Sequence, residues 1–269
     1  ELPFWKGEDL NKKKIIVYED QGVGDSIQFS KYLFFLNELC EDIRVEVRES
    51  AVGLFQKNIL NLKIYKKGFN YNSDCDYKIS FASLNKFFYE NKNKQEKKLF
   101  KIDEEIIKKW FKEISSKKLK VGLTWSGSLH GVNEPYRSIE IKNFEKILSL
   151  DCDFICLQKD IWDRDKKYFE NSRIKYLGDK NFLETAGIIE NLDLVISSDT
   201  SILHLSSTLE KLTWGLISFN AEWRWWMYNK PAFYKKLIEY KQINFDNWDD
   251  VLNDVYVDLK KLIEEKKSI

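Results

Sequence analysis

No stretch of this 269-residue chain approaches the ~18–20 consecutive apolar residues needed to cross a bilayer as a helix. Its first ten residues, "ELPFWKGEDL", lack the apolar core of a secretory signal. It opens on Glu1 rather than Met and is expected to be a piece of something longer. Charge of one sign is missing too: 44 Lys and Arg stand against 43 Asp and Glu, so bulk charge offers no pull on nucleic acid. The densest positive run, "NKNKQEKK" (91–98), reads as a solvated loop. Histidines number only two, His130 and His204. The four cysteines (Cys40, Cys75, Cys152 and Cys156) have no metal-ligand spacing. Cys152 and Cys156 bracket a predicted strand of ~13 Å, beyond disulfide reach, and are expected to be buried free thiols in a reducing compartment. A cytoplasmic location follows as the expectation.

What is present is a packed globular composition, 43% hydrophobic and 15% aromatic. Strand-like and helix-like segments alternate. Predicted strands are Lys14–Glu19, Ile43–Arg48, Leu62–Lys67 and Asp76–Phe81, with helices at Ser26–Cys40 (capped by Ser26 or Asp25) and Asp103–Ile114. "SSKK" (115–118) is the best boundary. A second series follows: strands at Lys120–Gly127, Asp153–Lys159, Arg173–Gly178, Leu192–Ser198 and Leu212–Ser218, and helices at Ile141–Leu150, Phe182–Asn191, Thr200–Leu209 and Asn247–Glu265. The last carries Leu252, Val255, Leu259 and Leu262 on one face. Such alternation predicts an α/β chain with parallel sheets. Two Rossmann-like domains, 1–116 and 117–269, would face one another, the last helix packing back on the first, with a ligand at the carboxyl ends of the strands.

The loops at those ends are the candidate site. "GVGDS" (22–26) follows the first strand, but Ile27 stands where the third glycine of a dinucleotide loop belongs, and no Gly-Lys-Ser/Thr is present. Gly24 and Asp25 open the helix instead, and Asp25 reads either as a cap or as a functional carboxylate. "SSDTSILHL" (197–205) runs from a buried strand into a helix whose start offers free N–H groups and the hydroxyls of Thr200 and Ser201, suited to a diphosphate. His204 lies one turn on, and Asp199 is expected to cap the helix or meet a sugar hydroxyl. The loop Thr124–Ile141 brings Ser126, His130 and Arg137, and "LQK" (157–159) brings Gln158 and Lys159. Arg137 and Lys159 are either surface cations or, with the helix mouth, a cationic pocket for a nucleotide diphosphate. "WGLISFNAEWRWWMY" (214–228) sets Glu222, Trp223 and Arg224 among aromatics that either staple the core or bind the faces of sugars or bases. "DCD" occurs at 74–76 and 151–153, but both copies precede a strand, so no metal site is expected.

In order along the chain, "IIVYEDQGVGDSIQFSKYLFFL", "VGLTWSGS", "YRSI", "ICLQK", "LGD", "LDLVISSDTSILHLSSTLEKLTWGLI" and "EWRWW" resemble bacterial glycosyltransferase-like domains found behind tetratricopeptide repeats, relatives of the lipopolysaccharide heptosyltransferases of glycosyltransferase family 9. "EWRWW" stands where some relatives carry a Gly/Pro-rich phosphate loop. The resemblance implies a GT-B fold and metal-independent, inverting transfer of a hexose or heptose from a nucleotide-diphosphate sugar, with no other cofactor. It implies Asp25 as the base, facing the donor across the cleft, and puts Arg137, Lys159, Asp199, Thr200, Ser201 and His204 on the donor side. Ser126 and Gln158 join these from the loop reading, with Gly24, Glu222, Trp223 and Arg224 as candidate acceptor or sugar contacts. Implied partners are a nucleotide sugar, a glycan, lipid-linked or protein acceptor, and an upstream repeat domain, at the inner face of the membrane. The alternative is a nucleotide- or glycan-binding module with the same fold and no turnover.

Overall fold

The computed structural model describes residues 2–68, 74–91, 98–128, 134–226, 234–245 and 247–267. In chain order the first half comprises β1 (Lys14–Tyr18), α1 (Val23–Phe29), α2 (Leu33–Leu39), β2 (Asp42–Val47), α3 (Glu49–Gln56), β3 (Lys63–Lys66), β4 (Tyr77–Ser80), α4 (Phe81–Phe88) and α5 (Glu104–Ile114). The second comprises β5 (Lys120–Thr124), α6 (Glu134–Arg137), α7 (Glu145–Leu148), β6 (Asp153–Cys156), α8 (Asp163–Glu170), α9 (Phe182–Glu190), β7 (Leu194–Ser198), α10 (Ser201–Thr208), β8 (Thr213–Ile217), β9 (Leu237–Lys241) and α11 (Asp249–Lys267).

All strand pairs are parallel, in two sheets ordered β3-β2-β1-β4 and β6-β5-β7-β8-β9. The order reverses beside β1 in one sheet and beside β5 in the other. Loops leave there to opposite faces and open a crevice at the strands' carboxyl ends. No described helix is long and apolar enough to cross a membrane.

Several boundaries differ from expectation for identifiable reasons. The helix read over 26–40 starts earlier, at Val23 with Gly22 as its cap, so neither Ser26 nor Asp25 is the cap residue. It breaks at Ser30, whose buried hydroxyl donates to the Ile27 carbonyl at 2.7 Å, a bond that competes with the helical ladder. Residues 173–178 form no strand and make a single bridge, Lys175 to Ile155. An edge strand the pattern did not show, β9, pairs with β8. The closing helix α11 packs on its own half, not back on the first. Val251, Leu252, Val255, Leu259 and Ile263 enter the second core, with Ile263 rather than Leu262 completing the stripe. Lys266 and Lys267 hold its end to Asp193 and Asp151.

The halves are not separate cores. Ile155 and Leu157, Ile188 and Ile189 of α9, and Ile202 and Leu205 of α10 join the hydrophobic cluster of the first sheet. Helix α1 lies directly on α10, and a Cβ added at Gly24 would come within 3.0 Å of His204 Cδ2 and 3.3 Å of Ser201 Cα. Glycine is needed here for close approach of two helices. Gly24→Val should therefore destabilise the protein by about 1–3 kcal/mol through overpacking, read as a lower urea midpoint.

Candidate active site

Loops from both sheets enclose a cavity of about 570 Å³. Gly24, Asp25, Ser126, Arg137, Gln158, Lys159, Asp199, Thr200, Ser201, His204, Glu222 and Arg224 all line it. Trp223 does not; it is exposed on the surface, and the buried indole is its neighbour but one, Trp225. His130 lies outside the described residues.

On the first half, β1 delivers the chain to Gly22, and Asp25 falls in the opening turn of α1. Its Oδ2 accepts from the Gly22 N–H at 3.1 Å, half of a capping box. Its Oδ1 accepts from Arg224 Nη1 at 2.7 Å, across the boundary between halves. Arg224, from the turn after β8, also donates to Gln28 Oε1 and Glu222 Oε2. Burial works against this guanidinium's charge, but Asp25 and Glu222 outweigh it and hold the proton more firmly than usual.

On the second half, the wholly buried strand β7 runs into Asp199 and Thr200. Thr200 is the cap of α10: its Oγ1 accepts from the Ile202 N–H at 3.3 Å. Asp199 therefore does not cap. Its Oδ2 accepts from Trp225 Nε1 at 2.8 Å, Oδ1 lies 3.5 Å from His204 Nε2, and its backbone carbonyl accepts from Arg137 at 2.9 Å. Burial alone would raise the Asp199 carboxyl. His204, Arg224 and Arg137 more than compensate and lower it. His204 Nδ1 meets the Tyr234 hydroxyl at 2.8 Å. Both imidazole nitrogens are thus engaged with protein, and His204 holds Asp199 and Tyr234 rather than offering a free nitrogen to the cavity. Trp225 and Tyr234 were not singled out from sequence, although a buried indole or phenol requires a polar partner.

Gln158 has a different part from the one expected. Its Oε1 accepts from the N–H groups of Trp125 and Ser126, each at 3.1 Å. Its Nε2 donates to the carbonyls of Ser126 at 2.7 Å and Asp160 at 3.1 Å. All its hydrogen-bonding capacity shapes the loop after β5, leaving none for a ligand. The hydroxyls of Thr124 and Ser126 are the reverse case: buried at the cavity and without a hydrogen-bond partner among the described residues. Buried hydroxyls are almost always paired, so these two suit a ligand oxygen or water. Lys159 is exposed and has no ion-pair partner among the described residues. The cavity is not broadly cationic as expected. Arg48, Arg137, Lys159, Lys180 and Arg224 are matched by Asp25, Asp160, Asp179, Asp199 and Glu222.

The two DCD stretches lie at the amino ends of β4 and β6, away from the cavity. Asp74 bonds Lys14 and Arg44, and Asp151 bonds Lys118 and Lys267; these partners lower both carboxyls to about 2. Burial pushes the free thiols of Cys152 and Cys156 up to about 12, so they stay protonated. Among the described residues no group of three His, Cys, Asp or Glu side chains comes together to hold a metal.

No family model and no curated protein matches the chain. Solved structures do. A glycosyl transferase family 9 structure from Veillonella parvula is similar at TM-score 0.60 with 12% identity, covering 94% of each chain. The Escherichia coli ADP-heptose lipopolysaccharide heptosyltransferase II is similar at TM-score 0.62 with 10% identity, over 94% of this chain and 99% of that one. The dodecameric, iron-containing heptosyltransferase TibC of enterotoxigenic E. coli, in complex with an ADP-heptose, is similar at TM-score 0.59 with 9% identity, over 93% of this chain and 67% of that one. The fold is GT-B: two parallel α/β sheets facing across a crevice.

Two outcomes follow from the site's polar bonding. Gln158→Leu leaves two N–H groups and two carbonyls without their partner, each buried loss being worth about 1–3 kcal/mol, so unfolding stability should drop by at least about 2 kcal/mol. Asp199 titrates in the folded protein below its unfolded value of about 3.9. Its contribution is complete above that value and disappears as pH falls through the folded pKa. Asp199→Asn should accordingly be less stable than the parent at neutral pH. The gap should narrow as pH falls below about 5, measured by urea unfolding.

Proposed function

We propose that this chain is a glycosyltransferase that moves a sugar from a nucleotide-diphosphate sugar to a hydroxyl acceptor. The observation that carries this reading is that Asp25 and the start of α10 line one cavity at the facing carboxyl ends of two parallel sheets, in a GT-B frame. The cavity's size suits a small-molecule ligand.

In this reading the diphosphate lies at Thr200 and Ser201, with Lys159 as the uncommitted cation and the unpaired Thr124 and Ser126 hydroxyls as further partners. The acceptor oxygen attacks the anomeric carbon as the bond from that carbon to the diphosphate oxygen breaks. The nucleoside diphosphate leaves with the electron pair, and the acceptor's proton passes to Asp25. Attack opposite the leaving group inverts the anomeric centre. No metal is assigned a part. The sequence reading has Asp25 facing the donor across the cleft; with α1 resting on α10, that reading makes base and diphosphate close neighbours. The heptose named for one structural neighbour makes ADP-heptose the first donor to try. The upstream repeat partner implied by sequence resemblance has no counterpart in the comparisons.

A second reading, a sugar- or nucleotide-binding module without turnover, is favoured by one feature: an oxygen of Asp25 is already bonded to Arg224. One experiment separates the two. The full chain is incubated with ADP-, GDP- and UDP-sugars in excess EDTA, and nucleoside diphosphate release is followed. Transfer or hydrolysis should persist with EDTA and fall about 10²–10⁴-fold in Asp25→Asn, which keeps the helix start intact. Nucleotide affinity should hardly move in that variant but weaken on the order of tenfold in Lys159→Ala, the loss of one charge-assisted hydrogen bond. Binding without turnover by the parent protein would select the second reading. Activity lost in EDTA and restored by Mg²⁺ or Mn²⁺ would overturn metal independence.

A further inference from the structure

The Arg224 side chain is 6% exposed, yet it borders the cavity and belongs to the half opposite the carboxylate it binds. Its two terminal nitrogens reach three acceptors: Asp25 and Gln28 on α1, and Glu222 beside it. The planar guanidinium sits 5.9 Å from the centre of the Phe29 ring. Asp25, Gln28 and Phe29 are three and four residues apart and so share one face of α1. Two buried donors in this cluster, Arg224 Nε and Gln28 Nε2, have no hydrogen-bond partner among the described residues.

A purely structural ion pair does not account for this arrangement. Burying a charge pair seldom adds stability over apolar packing, and unpaired buried donors cost more. The Gly22 N–H fixes one oxygen of Asp25 and Arg224 fixes the other, so the carboxylate cannot swing away from the cavity.

We propose that Arg224 is a positioning residue: reaching across from the second half, it holds the Asp25 carboxylate in reacting geometry, and does not itself bind the donor. This rests on the reading of Asp25 as the base in glycosyl transfer. It replaces the expectation that Arg224 contacts acceptor or sugar directly. It also means that the reacting carboxylate is complete only when both halves are packed together.

The test uses the full chain with Arg224→Gln, Arg224→Lys, Asp25→Asn and the double variant Asp25→Asn/Arg224→Gln. The donor is whichever ADP-, GDP- or UDP-sugar the parent turns over, with kcat and donor KM measured separately. Misplacing a reacting group by about 1 Å can cost on the order of 10²-fold, so Arg224→Gln should lose kcat on that scale with donor KM within about threefold. In the Asp25→Asn background the same change should cost nothing further, because the group it positions is gone. Arg224→Lys should fall between, since an ammonium cannot make the forked contact. If Arg224→Gln fails to fold, as judged by urea unfolding, Arg224→Lys alone and combined with Asp25→Asn carries the same comparison.

Equal losses in both backgrounds, or a raised donor KM at unchanged kcat, would overturn the proposal. So would an inactive Asp25→Asn beside a fully active Arg224→Gln, and this outcome leaves the transferase reading standing. A parent that turns over no donor sinks that reading and this inference with it; a fully active Asp25→Asn does the same to the base assignment.

Discussion

Two helix starts meet where α1 rests on α10, and their contact sets the terms for the rest of the cleft. The start of a helix gathers unpaired N–H groups and partial positive charge, so bringing two together is electrostatically unfavourable unless anions lie between them. Asp25 sits in the first turn of α1, and Asp199 immediately precedes the cap of α10. Those carboxylates in turn require partners: Arg224 bonds the Asp25 carboxylate, His204 lies against that of Asp199, and Arg137 bonds the Asp199 backbone carbonyl. The polar centre of the cavity is thus a chain of mutual compensation built on one close packing contact. The packing is possible because residue 24 has no side chain.

This arrangement explains why the charges lining the cavity nearly cancel. The donors without partners are more telling than the net charge. The Thr124 and Ser126 hydroxyls lie at the carboxyl end of β5, while Arg224 Nε and Gln28 Nε2 lie at α1. They mark two sides of one space: one beside the loops proposed to hold the diphosphate, the other beside the carboxylate proposed to take a proton. Between them Gln158 spends its whole amide on keeping the β5 loop in shape. Its place in the cavity wall is that of a scaffold.

The parallel strands were legible because fully buried strands read as short apolar runs, as in Ile15–Val17 and Leu194–Ile196. Thr200 and Asp25 were legible as residues of a helix start because a strand running straight into a helix leaves few other roles for them. Edge strand β9 escaped notice because only Leu237 in it is buried, leaving a weak pattern. The break at Ser30 depends on one hydroxyl turning inward, which helical spacing does not report. The least visible feature was the partner of Asp25. Arg224 stands 199 residues away, and its pairing depends on how two sheets dock. Local pattern could nominate both residues but not join them, just as it could not tell Trp223 from Trp225.

The shared apolar cluster bears on how the protein is made. A chain emerges from the ribosome with its first half leading, and domains ordinarily fold in that order. Here Ile188, Ile189, Ile202 and Leu205, all late in the chain, fill part of the core over the first sheet. The nascent first half therefore has no complete interior of its own and keeps an apolar face uncovered until α9 and α10 have been synthesised. Its window of vulnerability to aggregation is set by translation time, and a nascent-chain chaperone would find its binding surface on the faces of α1, α3 and α5 that later receive α10 and α9.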